Sequence, residues 1–234
     1  MVFLKGVRNF SLLRKMMVDK LKKEGIIKSK EVERAFLTVP REEFVWPDMK
    51  NLAYEDTPLP LGGTGQTISA PHMVAIMLEE FDLKPGLKVL EIGTGSGYNA
   101  ALMAEIVKPT NSITKGHVIT IERVPELIQF PKYNLDRTGY HNRVNVILGD
   151  GTLGYPARSE EMLYDRIMVT AAAPHIPNCL KNQLKINGII LAPIGNTFMQ
   201  TLVKLRKFEG GRIKTEEICG CVFVALIGED GFRF

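Results

Sequence analysis

The chain has 234 residues, 45% hydrophobic and 24% charged, a composition suited to one substantial α/β unit with additions. No apolar run approaches the ~18 residues needed to span a bilayer, and the N-terminus lacks the continuous apolar core of a secretion signal. The net charge of +4 is concentrated at one end: residues 1–30 carry nine Lys or Arg against Asp19 and Glu24, a net of +7, which leaves the remainder at −3.

That basic start is compatible with nucleic acid or an acidic surface. Yet Leu12, Leu13, Met16, Met17 and Leu21 recur at helical spacing between the lysines. The pattern predicts a helix over about 11–24 whose apolar stripe docks on the domain while its charged face meets water. A second helix opens at Ser29, with Glu31 favouring its N-terminal dipole, and stops before Pro40. Residues 41–70 are rich in Pro and Gly but also in aromatic and apolar residues, which predicts an ordered functional loop rather than a disordered linker. Pro71, at a first helical position, leads a helix to about Phe81.

Beyond that point strands are expected near 88–92, 117–122, 144–148, 165–170 and 187–194, with helices near 98–107, 125–136 and 177–184. This alternation implies a mostly parallel, Rossmann-like α/β sheet with helices on both faces. A hairpin runs from residues 201–208 through Glu209-Gly210-Gly211 to a strand reaching 221–226, and closes the sheet with an antiparallel pair. Residues 1–70 thus read as a helical and loop extension packing on a Rossmann-like domain of 71–234.

The most informative run is Val89-Leu90-Glu91-Ile92-Gly93-Thr94-Gly95-Ser96-Gly97. A strand that turns through glycines into a helix brings bare backbone and a positive helix end to one spot, as a nucleotide cofactor requires. The order is Glu-x-Gly-x-Gly-x-Gly, not the Gly-x-Gly-x-x-Gly of dinucleotide enzymes. Glu91, two places before the first glycine, suits a ligand carrying positive charge, such as S-adenosylmethionine. Glu122 closes the β-branched strand 118–122, where a carboxylate is expected to meet ribose hydroxyls; otherwise it is a solvated strand-end acid. Asp150, between Gly149 and Gly151, falls at the same carboxyl edge and could accept from an adenine amino group, or could serve only the turn. Ser69 could cap the following helix or donate to a bound carboxylate. No Gly-x-Ser-x-Gly elbow marks it as a hydrolase nucleophile, and His72 reads as a helix residue rather than a catalyst. The three cysteines have neither disulfide-framework nor zinc spacing, so no metal is expected and a reducing cytoplasm fits.

Taken together, Val39-Pro40-Arg41-Glu42-Glu43-Phe44, Tyr54-Glu55-Asp56, Gln66-Thr67-Ile68-Ser69-Ala70-Pro71-His72, the glycine run, Gly149-Asp150-Gly151 and Ala171-Ala172-Ala173-Pro174 resemble the protein-L-isoaspartate O-methyltransferase family. The glycine loop is common to S-adenosylmethionine-dependent methyltransferases, whereas the Thr-Ile-Ser segment and the Ala-Ala-Ala-Pro run are far more particular to this family. The resemblance implies S-adenosylmethionine as cofactor and S-adenosylhomocysteine as product. The α-carboxylate of isoaspartyl residues in damaged proteins and peptides would be the acceptor. It places Ser69 at the substrate carboxylate, Gly93, Gly95 and Gly97 at the cofactor, Glu122 on the ribose, and Asp150 and Gly151 at the adenine. The family also encloses its cofactor with the Gly-rich segment before Gln66, and Gln66 and Thr67 are expected to bind the cofactor. Two departures stand out: Ala225 replaces a frequent proline, and the loop over 108–117 is long.

A carboxylate acceptor with a pKa of about 3.3–3.7 is already ionised at neutral pH, so no general base is demanded, and none stands out. The alternative is methyl transfer to RNA, prompted by the basic start. Against it, no Asn/Asp-Pro-Pro-Tyr-type segment is present and the basic charge is local, so no nucleic-acid or membrane partner is expected. The missing Gly-x-Gly-x-x-Gly argues against a nicotinamide oxidoreductase. Ser69, Glu122 and Asp150 argue against a non-catalytic relic.

Overall fold

The computed structural model describes residues 9–161 and 163–233. Lys5 and Arg8 of the basic stretch lie outside them. The chain begins with helix α1 (Phe10–Lys23), capped by Asn9, and α2 (Lys30–Thr38), capped by the Ser29 hydroxyl, which accepts from the Val32 amide. Two 3-10 turns, Arg41–Glu43 and Pro47–Leu52, lead to a small hairpin, β1 (Leu59–Pro60) and β2 (Thr67–Ile68). Helix α3 (Pro71–Phe81) precedes the main sheet.

Five strands of that sheet are parallel: β3 (Lys88–Ile92), β4 (His117–Glu122), β5 (Val144–Leu148), β6 (Tyr164–Val169) and β7 (Leu184–Gly195). Helices α4 (Tyr98–Val107), α5 (Gln129–Arg137) and α6 (Asn178–Gln183) make three of the crossovers. Strands β8 (Gln200–Lys207) and β9 (Ile213–Cys221) add an antiparallel meander, giving the order β5-β4-β3-β6-β7-β8-β9. This is a Rossmann-like sheet with an antiparallel C-terminal pair. The chain leaves β3 first toward β4 and then, from β5, returns to its other side as β6, so the topological switch lies at the carboxyl end of β3, where open α/β sheets bind ligands.

Period-two alternation assigns the two faces. Val89, Met168, Ile189 and Leu191 point into a core shared with α1 to α5, whereas Leu90, Ile167, Val169 and Ile190 point into a second core with Leu180 of α6. Both faces are therefore covered, as near-continuous apolar strands require.

Three expectations need correction. Leu12 and Met16 are exposed; the docked stripe of α1 is Met17, Val18 and Leu21. It is rotated because Arg14 turns inward, its Nε donating to the Tyr54 hydroxyl at 2.8 Å and Nη2 to Glu42 at 2.9 Å. The helix anticipated over 125–136 is a 3-10 turn (Pro125–Leu127) followed by α5, whose first turn accommodates Pro131. The last strand stops at Cys221: the Phe223 amide turns away to Gln200 Oε1 at 2.8 Å, and residues 222–226 leave the meander. Among the described residues no helix is long and apolar enough to cross a membrane.

Under the loop that follows α4, Glu105 is buried and accepts from Arg143 at 3.1 Å, the Thr110 hydroxyl at 2.8 Å and the Tyr140 hydroxyl at 3.2 Å. This network ties the long 108–116 loop to β5, far from the switch point. Arg143→Met leaves the Glu105 carboxylate buried without its cation and is expected to destabilise the fold by about 3–5 kcal/mol. Urea denaturation reads the loss, and ligand affinity of the folded protein should be unchanged.

Candidate active site

At the end of β3 three glycines take left-handed backbone, Gly93 at φ +99°, Gly95 at +55° and Gly97 at +84°. Two also face neighbours that leave no room for a side chain. A Cβ on Gly93 would sit 2.4 Å from Thr170 Oγ1, and one on Gly97 would press on Pro131 and Leu135 of α5 at 3.2 and 3.3 Å. The Thr170 hydroxyl lies 2.9 Å from the Ile92 carbonyl and 2.7 Å from that of Gly93, fastening β6 to the turn. Asn134 Nδ2 donates to the Ser96 carbonyl at 3.0 Å from the opposite side.

Glu122 ends β4 beside this loop. Its Oε2 accepts from the Gly95 amide and its Oε1 from the Val124 amide, both at 2.9 Å. The carboxylate is thus held by backbone while its flank faces the cleft. That cleft, about 960 Å³ including its open mouth, runs past Gly93–Ser96, Glu122–Val124, Gly151 and Thr170. Its far wall is Gln66–Ser69, carried by the β1–β2 hairpin, and Val224–Ile227 closes the third side.

The structure therefore brings together Gln66, Thr67, Ser69, Gly93, Gly95, Glu122 and Gly151. It places three other anticipated residues off the wall. Gly97 is the N-cap of α4, packed on α5. Asp150 caps the short turn Gly151–Leu153, its Oδ1 accepting from the Thr152 amide at 2.9 Å, while Oδ2 takes the Glu229 amide at 2.8 Å. Gly228 packs directly on Asp150, so the carboxylate clasps the C-terminal segment rather than facing the cleft. Glu91 points to the helix face beneath the loop, fully buried, accepting from Thr120 Oγ1 at 2.5 Å and Asn99 Nδ2 at 2.8 Å. It supports Asn99, itself a wall residue, rather than meeting a ligand.

Ser69 does not cap α3. The N-cap is Ala70 without a side-chain bond, and the His72 amide donates instead to Asp56 Oδ1 at 2.9 Å. Among the described residues the Ser69 hydroxyl has no protein partner, so it is free for a ligand. The sequence assigns no role to Asp56, Thr170 or Asn134. Asp56 lies 16 residues before the amide it caps, beyond any local capping pattern.

Burial pushes the Glu91 carboxyl up to about 7, opposed by its two hydrogen bonds and assisted by the nearby Glu122 charge. A raised carboxyl pKa means that the folded state holds a proton the unfolded state has released. Glu91 therefore costs stability as pH rises from its ordinary 4.5 to about 7. Glu91→Gln is expected to flatten the fall in stability over that window, read by thermal unfolding at a series of pH values. A slope identical to that of the parent would place the titration elsewhere.

The family model for Protein-L-isoaspartate(D-aspartate) O-methyltransferase (PCMT) matches residues 13–231. A protein-L-isoaspartate O-methyltransferase of Hyperthermus butylicus is 54% identical over 226 residues, 96% of this chain and 92% of that protein. One of Pyrococcus horikoshii is 55% identical over 220 residues, 94% of each. Among solved structures, a Plasmodium falciparum protein-L-isoaspartate O-methyltransferase in complex with S-adenosyl-L-homocysteine superposes with a TM-score of 0.80 at 30% identity, covering 92% of this chain and 98% of that one.

Proposed function

The chain belongs to the protein-L-isoaspartate(D-aspartate) O-methyltransferase family, and on that premise we propose which residues of the cleft carry the reaction. The enzyme transfers a methyl group from S-adenosylmethionine to the α-carboxylate of L-isoaspartyl residues in damaged proteins and peptides, which initiates repair through a succinimide. S-adenosylmethionine, when bound, supplies a methyl group activated on a sulfonium.

The side chains present fit that requirement. Bare backbone at Gly93 and Gly95 and the carboxylate flank of Glu122 make the nucleoside end, with Gly151 at the base and Gln66 and Thr67 across from them. Glu122 would meet the ribose. Gly151 is glycine because a Cβ there would strike Ile92 at 2.3 Å, and Asp150 acts on the adenine end by holding this turn and the C-terminal wall. Ser69 would orient the substrate carboxylate. The single observation that carries this assignment is its hydroxyl, unpartnered among the described residues and lining the same cleft as the glycine loop. An ionised acceptor needs no proton removed, so the chain's task is alignment and exclusion of water.

We read residues 1–70 as an extension packed on the methyltransferase domain of 71–234, because the sheet and its crossovers lie wholly in the latter while the former supplies Gln66–Ser69. We place the reaction in the cytoplasm without nucleic-acid or membrane partners. Three free cysteines support this, as does a basic stretch confined to α1 and its flanks rather than lining the cleft. Among the described residues no group of three or more His, Cys, Asp or Glu could hold a metal ion.

Because Asp56 caps α3, Ser69→Ala should leave stability nearly unchanged while cutting turnover on isoaspartyl peptide. Losing a hydrogen bond to a charged group, about 1.5–3 kcal/mol, corresponds to roughly 10- to 150-fold. Ser69→Thr keeps the oxygen but adds a methyl, and should also be slowed. Methylation by both variants at the parental rate would make Ser69 a bystander. Glu122→Ala should weaken S-adenosylmethionine and S-adenosylhomocysteine alike by roughly 1.5–3 kcal/mol, since the ribose is common to both. Calorimetry with both ligands tests it, and unchanged affinities would remove Glu122 from the site.

A further inference from the structure

Among the described residues Arg41 is one of the largest side chains fully removed from solvent. It opens the turn after Pro40 and reaches beneath the Ser69 wall. Nε donates to the Ala53 carbonyl at 2.8 Å and Nη2 to the Ser69 carbonyl at 2.9 Å. Its Cζ lies 5.0 Å from the centroid of Tyr98, a wall residue, and Nη1 is buried without a partner.

The other largely buried arginines are neutralised: Arg14 faces Glu42, Arg143 faces Glu105 and Arg166 faces Asp82. Among the described residues Arg41 has no such carboxylate. Asp56, whose charge it feels, is committed to the N-terminus of α3 and to His72. Burial draws the Arg41 pKa down, but a guanidinium remains charged at neutral pH. An uncompensated buried cation is costly, and its field is weakly screened. Retaining one directly behind the residue that meets an anionic substrate is explained if that anion is its missing counter-charge.

We propose that Arg41 is a positioning residue for the methyl acceptor: its fork sets the Ser69 backbone, and its unpaired charge makes that end of the cleft favour a carboxylate over a neutral group. This rests on the isoaspartyl reading of the site. The position suits arginine because a planar guanidinium presents its donors in fixed, divergent directions, so that Nε and Nη2 reach the carbonyls of two separate segments while the charge stays over the Tyr98 ring. The charge acts through Ser69 and the Tyr98 ring without touching substrate.

The test compares the parent full-length chain with Arg41→Lys and Arg41→Met. Three quantities are read: kcat and KM with isoaspartyl peptide, Ki of the same peptide carrying an α-carboxamide, and S-adenosylhomocysteine affinity. In Arg41→Met, cofactor affinity should stay within about threefold while the preference for carboxylate over carboxamide falls about tenfold or more. In Arg41→Lys the preference should largely survive, with kcat reduced about tenfold because Ser69 is less firmly placed. An unchanged preference in an Arg41→Met protein that binds S-adenosylhomocysteine overturns the proposal. Should Arg41→Met not fold, parental kcat in Arg41→Lys overturns it equally. Parallel loss of cofactor affinity and turnover in both variants would reduce Arg41 to general support of the fold, against the proposal. A parent chain that leaves isoaspartyl peptide unmethylated refutes the underlying reading of the site. Normal methylation by parent and variants alike refutes only the role of Arg41.

Discussion

The close approach of β6 to the exit of β3 is the constraint on which the cleft depends. Thr170 lies against both the Ile92 and Gly93 carbonyls, and the 2.4 Å available to a Cβ on Gly93 leaves only glycine there. The same tightness recurs at Gly97 against α5 and at Gly151 against Ile92. Each contact draws a strand end or helix start inward, so that backbone amides rather than side chains surface at the switch point. Glu122 then accepts two of those amides. A carboxylate held in this way keeps lone pairs for hydroxyl donors without needing a cation beside it.

Two glutamates with the same side chain have opposite surroundings. Glu122 ends its strand at the cleft, bonded to main chain. Glu91 lies on the helix face of β3, away from water, its pKa pushed to about 7. The difference follows from the pleat: Glu91 shares the face of Val89 and falls under α4, whereas Glu122 is the last residue of β4, past the covering helices. A burdened carboxyl beneath the loop is a cost to the fold, offset by holding Asn99 and Thr120 in place. Methyl transfer to an ionised acceptor asks for such rigidity more than for proton transfer.

Long periodic segments were legible because burial on two faces writes itself into alternation: β3, β4 and β5 carry their anticipated limits, and α4 and α3 theirs. Where long-range polar contacts decide, sequence was silent. Arg14 rotates α1 by bonding 28 and 40 residues away. Gln200 diverts the chain after Cys221 and so builds the third wall of the cleft, where local pattern alone favoured a longer strand. Asp150 shows the same limit. Its place at a strand end was readable, but the Glu229 amide that occupies its Oδ2 arrives from 79 residues on, and the Asp230 amide beside it goes to the Thr152 hydroxyl. In the glycine run, the left-handed turns were foreseeable, yet which glycine faces ligand and which faces α5 depends on a helix that the local motif does not encode.

The N-terminal segment is part of the site rather than an appendage to it. Tyr98 begins α4, and its ring meets Phe36 edge-on at 6.3 Å, Phe44 at 5.6 Å and the Arg41 guanidinium at 5.0 Å. Trp46 packs on Phe130 at 4.8 Å and fills the space over Gly62, which steadies the hairpin bearing Gln66–Ser69. The same aromatic that starts the cofactor-side helix therefore anchors the acceptor-side loop. Through it the two halves of the cleft share one rigid seam, and the spacing between glycine loop and Ser69 is set by packing within a single core. An enzyme that works by alignment gains from that arrangement, because the distance that governs reaction is then fixed by close-packed rings instead of by the flexible stretch that joins them in sequence.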